Sequence, residues 1–152
     1  MNVNHVNAIS RATKEILTNH FGLEINQERP SAGTGSIPSN NVAVILGIKG
    51  ELTGQIIVTF SGETAKKIVG TMMGGMEIQE LDDMGWSAVQ EFGNWVAGTT
   101  ATELSKEACT IDVTTPIVNE GDSRFHSKLP FVTIPFTTSI GAIKVHIAVK
   151  EE

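Results

Sequence analysis

Cysteine is almost missing from this chain of 152 residues, which carries Cys109 alone. One cysteine cannot close an internal disulfide or build a thiolate metal cluster. No Cys/His constellation makes it a nucleophile, and it reads as a small apolar residue near a strand start. The four histidines, His5, His20, His126 and His146, are scattered. No H-x-x-x-H, C-x-x-C or cluster of carboxylates supports a metal site. There is no nucleophile elbow and no evident triad. Basic clusters are missing too. The longest is Lys66-Lys67 in a chain of net charge -6, a poor candidate for nucleic acid or anionic membrane. No apolar run approaches the roughly 20 residues needed to span a bilayer. The first residues, MNVNHVNAISRATKEIL, lack the charged region and apolar core of a signal peptide, so a cytoplasmic protein is expected. GTGS at 33–36 has glycines but not the lysine and spacing of a phosphate loop, and reads as a turn.

What is present is an ordinary folded composition, 40% hydrophobic and 18% charged, which predicts one domain over 1–152. Val6, Ile9, Ile16 and Leu17 mark an amphipathic helix over 3–21, ended by Gly22. Residues 27–41, rich in Pro, Ser, Gly and Asn, read as a connection with at most one short strand. Alternation predicts strands at 42–48 and 52–60, a hairpin about Lys49-Gly50. Ser61 is an N-cap candidate for a helix over 62–73 that Gly74-Gly75 stops. Met72, Met73, Met76 and Met84 cluster about that stop, as core filler or as a soft partner-binding patch. A strand over 111–117 carries Pro116, which suits a sheet edge. Residues 119–128 read as a polar loop, and 130–137 with 142–149 as a last hairpin. In its second strand Ile143, Val145, Ile147 and Val149 face the core, and Lys144, His146, Ala148 and Lys150 a mostly solvated side. The whole is an α+β domain, an antiparallel or mixed sheet covered by helices. Its two hairpins suggest a distant internal duplication.

The long helix over 81–104 holds the one polar pair that looks placed. Leu81, Ala88, Phe92, Val96 and Thr99 form its apolar stripe, flanked by Val89 and Trp95. Asn94 lies roughly opposite the stripe, with Glu91 between the two. Gln90, Ala97, Gly98 and Ala101 stand around Asn94. Asp82-Asp83 in the first turn suit the helix dipole. A Glu and an Asn three apart on a helix are usually a solvated face. Gly93 and Gly98 argue for more, because each costs about 1 kcal/mol against Ala in a helix interior. They suggest close approach, by a partner or by another element of the chain. One acid and one carboxamide cannot run covalent catalysis. A carboxamide can hold a water in line for attack on a phosphoryl group supplied, with its metal, by another molecule.

Two stretches, ETAKKIVGTMMGGME at 63–77 and LDDMGWSAVQEFGNWVAG at 81–98, resemble the CheX-type members of the CheC/CheX/FliY family of bacterial chemotaxis phosphatases. The resemblance extends over nearly the whole chain. The family's motif, Glu, two residues, then Asn on a long helix, is met by Glu91-Phe92-Gly93-Asn94. The resemblance implies a pseudo-duplicated CheC-like fold and hydrolysis of the phospho-aspartate of a CheY-like response-regulator receiver domain. Asn94 would position the attacking water and Glu91 would pair with a lysine of the partner, so both become the expected catalytic residues. Mg2+ would belong to the partner, with no cofactor on this chain. Some members carry the motif twice. Here the first helix offers Glu15-Ile16-Leu17-Thr18, with threonine in place of asparagine. CheX-type members are single-site homodimers joined through their sheets, and the same is expected here. The alternative is a non-catalytic module that binds a response regulator without hydrolysing its phosphate.

Overall fold

Two nine-residue strands lie near the middle of the molecule in a computed structural model, which describes residues 1–151. They are β3 (Val42–Gly50) and β4 (Leu52–Phe60), antiparallel, with Val44 opposite Val58 and Leu46 opposite Ile56. Side chains alternate across a strand, so Val42, Val44, Leu46 and Ile48 share one face with Ile56, Val58 and Phe60, and all are buried there. Three helices cover that face: α1 (Val3–Glu15), α2 (Gly62–Met72) and α3 (Asp83–Lys106). The chain of α1 continues through a π-helical turn, Ile16–His20. The remaining strands are β1 (Ile25–Gln27), β2 (Ser31–Pro38), β5 (Ile111–Val113), β6 (Ile117–Glu120), β7 (Arg124–Thr138) and β8 (Gly141–Glu151).

The sheet runs β1-β7-β8-β4-β3-β5, with β2 also on β7 and β6 also on β3, and these pairings are antiparallel. This order carries the duplication that the two hairpins suggest. Exchanging α1 with α3, β1 with β5, β2 with β6, β3 with β7 and β4 with β8 returns the same sheet read backwards. Each half donates its two leading strands to the other half's hairpin, and β4 and β8 meet along the pseudo-axis. Only α2 lacks a counterpart in this scheme.

Three local readings change. Residues 27–41 include the eight-residue strand β2, irregular between Gly33 and Gly35 and paired with β7 on its free side. Pro and Gly hide such edge strands because they weaken the strand pattern while an edge tolerates them. Most of the polar segment 119–128 is also strand, since β7 begins at Arg124 and extends past its pairing with β8 to meet β2. The strand over 111–117 is parts of two strands with residues 114–116, including Pro116, between them, both on the edge formed by β3.

The far face of the sheet is not mostly solvated. The β2–β7 arm curls over it and buries a second cluster of Ile37, Ala43, Ile57, Phe131 and Ala148. His146 lies under the same arm, 4% exposed. Its Nε2 is 3.0 Å from Thr59 Oγ1 and its Nδ1 is 2.8 Å from Thr133 Oγ1. Burial, with the charge of Lys144 adding to it, lowers its pKa from 6.5 to about 4.

Candidate functional site

The site helix is fixed at its start. Asp82 is the N-cap of α3, its Oδ1 accepting from the Gly85 N–H at 2.9 Å. The helix then runs 24 residues, about 36 Å. Its buried line is Val89, Phe92, Gly93, Val96, Ala97, Thr100 and Leu104. Phe92 packs edge-on against Phe60 at 6.0 Å and Phe21 at 5.8 Å. The line sits about one residue round from the stripe over Ala88 and Thr99, which are half-buried. Ala97, expected near the open side, is 8% exposed and belongs to the core.

The structure separates the two glycines. A Cβ on Gly93 would fall 2.8 Å from Val44 Cγ1 and 2.9 Å from Pro116 Cβ. Its close approach is therefore internal: the ring of Pro116 and strand β3 lie directly beneath the helix. Gln90 adds a bond on that side, its Nε2 donating to the Pro116 carbonyl at 3.3 Å. A Cβ on Gly98 would meet nothing within 4 Å, and Gly98 is exposed. Only this second glycine leaves room for another molecule.

Glu91 and Asn94 are exposed, on the opposite side of α3 from the buried line. Asn94 Nδ2 donates to Glu91 Oε2 at 3.4 Å, long for a hydrogen bond. Both groups are thus near each other and free to exchange partners. Neither side chain lines the depressions described here. A depression of about 660 Å3 lies elsewhere, lined by Met1, Val3, His5, Leu52 and Glu151 among others, with no residue of α3. Among the described residues no group of three or more His, Cys, Asp or Glu is placed to hold a metal ion. Cys109 is buried, and burial pushes its thiol pKa up, which suits packing rather than nucleophilic chemistry.

Neighbouring aromatic and sulfur side chains divide by burial. Trp95 is half-buried at the rim of the core, 6.2 Å from Phe21 and 5.2 Å from the His20 ring. Trp86, also packed against the core, lines a depression of about 420 Å3 with Leu81 and Lys66. Met72 and Met73 pack on the core, whereas Met76 and Met84 are 61% and 68% exposed.

Glu15 and Thr18, the threonine-bearing copy of the motif in the first helix, fall at the end of α1 and in the turn that follows it. Here the backbone changes as well as the side chain, since the π-helical turn begins at Ile16. The first segment lacks both the carboxamide and the regular i, i+3 geometry. Sequence reading missed Pro116 and Val44 as supports of the site, and Pro116 next to a strand gave no sign that it lay under Gly93.

A family profile described as "Chemotaxis phosphatase CheX" matches residues 42–137. The chain belongs to the CheX family. It is 33% identical over 152 residues to the "CheY-P phosphatase CheX" of Thermotoga maritima, covering 99% of this chain and 98% of that one. Among solved structures it is similar to a chemotaxis protein CheX from Desulfovibrio desulfuricans, with a TM-score of 0.85, 27% identity and coverage of 99% and 100%. It is also similar to CheX in a CheX–CheY–BeF3–Mg2+ complex from Borrelia burgdorferi, with a TM-score of 0.78, 27% identity and the same coverage. The α+β CheC-like fold holds across these CheX relatives, and Glu91 and Asn94 both lie within the matched segment.

Proposed function

We propose that this chain is a phosphatase acting on the phospho-aspartate of a CheY-like receiver domain, with Glu91 and Asn94 as its working residues. The observation that carries the reading is an exposed carboxylate and carboxamide, one turn apart on the open face of a long helix, in a member of the CheX family. Such a pair has no cavity of its own and fits a reaction whose phosphoryl group sits in a partner's cleft. The Asn94 side chain enters that cleft. Its carbonyl oxygen accepts from a water and its N–H donates to a neighbouring oxygen, so the water is held in line with the phosphorus. The water oxygen forms the new P–O bond and the bond to the aspartate oxygen breaks. Inorganic phosphate and a free carboxylate result, and the water's proton leaves to solvent or phosphate. Glu91 pairs with a lysine of the partner and fixes the helix there. Mg2+, held by the partner, neutralises charge on the phosphoryl oxygens. This is catalysis by positioning, with no covalent intermediate on the chain.

Two further expectations follow from the family. A partner of this kind places the chain in the cytoplasm. Two copies associate through their sheets, a reading supported by Ile117, 63% exposed on the edge strand β6 and paired with the half-buried Ile45.

The test is the decay of a phosphorylated CheY-type receiver domain, alone and with the chain at a tenth of its concentration. Acceleration is expected, and Asn94→Ala reduces it about 100-fold, the usual cost of losing a positioning group. Asn94 is exposed, so the variant keeps its fold. Binding without acceleration would instead identify a non-catalytic module, and an Asn94→Ala variant with the normal rate would sink the assignment of the residue.

A further inference from the structure

We propose that Met84 is a specificity-determining contact for the receiver domain, an apolar anchor that seats in a depression on the partner about 10 Å from the lysine that meets Glu91. The proposal rests on the phosphatase reading of Glu91 and Asn94 and adds a residue to it.

Met84 is in the first turn of α3, with 68% of its surface exposed. A single exposed apolar side chain is ordinary on a protein surface. Register sets this one apart. Glu91 is seven residues on, two turns along the same helix, and Asn94 is ten. On an ideal helix the three lie within a sector of about 80°, spread over about 15 Å of axis. A surface that brings a lysine to Glu91 and a phosphoryl group to Asn94 therefore extends over Met84 if it follows the helix by two turns. The other large exposed apolar residues lie off this helix: Met1 and Val3 at the chain start, Met76 after α2 and Ile117 on β6.

Position and chemistry both suit an anchor. The Asp82 cap and the buried Gly85 hold the backbone on either side of Met84, so the thioether is presented from a fixed base. Methionine is unbranched and polarisable, and it adapts to an irregular depression better than a β-branched side chain does. Transfer of its exposed surface from water into such a depression adds affinity without touching the reacting atoms. Glu91 and Asn94 meet groups that phosphoryl chemistry demands of any receiver domain. Met84 meets no reacting group, so a receiver whose surface lacks a matching depression there is disfavoured.

The test combines steady-state dephosphorylation, with the concentration of phosphorylated receiver varied, and direct binding of the same receiver loaded with beryllofluoride and Mg2+. Met84→Ala is expected to raise KM and Kd about tenfold and to leave kcat within about twofold. Met84→Leu restores most of the affinity. The melting temperature of both variants stays near the wild-type value, because most of this side chain is exposed. An unchanged KM, or a fall in kcat at constant KM, overturns the proposal while the phosphatase reading stands. A wild-type chain that neither binds the loaded receiver nor accelerates its decay overturns both together.

Discussion

His146 makes the stability of this domain depend on pH by an amount the structure sets. The imidazole is buried beneath the β2–β7 arm between two threonine hydroxyls, and its pKa is lowered from 6.5 to about 4. A pKa lowered on folding means that the unfolded chain binds a proton that the folded chain refuses. Stability from this group is therefore full above about pH 6.5 and is lost as pH falls toward 4. That fall, from 6.5 to about 4, corresponds to about 3 kcal/mol in total, of which about 2 kcal/mol is gone at pH 5. Other groups titrate in the same range, so the measurement needs a reference. His146→Gln keeps a side chain that bonds hydroxyls and removes the titration. Urea unfolding of both proteins at pH 7.5 and pH 5.0 gives two stability gaps. The gap at pH 5.0 is expected to be more favourable to the variant than at pH 7.5 by about 2 kcal/mol. A gap independent of pH would refute the reasoning and mean that the arm opens to solvate the ring at little cost.

The remaining predictions concern α3. Gly93→Ala and Gly98→Ala should change stability in opposite directions: the first pushes a methyl against Val44 and the buried Pro116 and costs about 1–3 kcal/mol, whereas the second meets nothing and gains up to about 1 kcal/mol. Chemical denaturation of the two variants decides it, and equal signs would mean that the helix does not sit on Pro116 as described. Under the proposed function Glu91→Ala should raise KM for a phosphorylated receiver about tenfold at low salt, and by less as ionic strength rises, because the variant cannot make the proposed charge pairing at a rim. A salt-independent loss would argue against a lysine partner.

The strands visible in the sequence were those with alternating apolar residues, β3, β4, β8 and the stretch over 111–117, together with the second half of β7. The hidden ones were edges. β2 carries two glycines and a proline, and the first half of β7 alternates polar with apolar residues, because both belong to an arm that folds back over the sheet. The alternation in β8 was read as core against solvent, yet His146 and Ala148 face a second, smaller core that only this curl creates. On α3 the exposed pair was legible from helical spacing, but the glycines beside it were ambiguous. Spacing places a residue on a face and cannot say what lies beyond that face. Pro116, 23 positions after Gly93, settles one glycine and leaves the other open.

The open placement of Glu91 and Asn94 has a consequence for inhibition and for side reactions. A pair that lines none of the depressions described above offers little to hold a small substrate, so under the proposed function free acyl phosphates in solution should pass it unhydrolysed. A drug-sized competitor would likewise find nothing to fill. Blocking the proposed interaction would take either a molecule that occupies the receiver's cleft or one broad enough to cover nearly three turns of helix, from Met84 to Asn94.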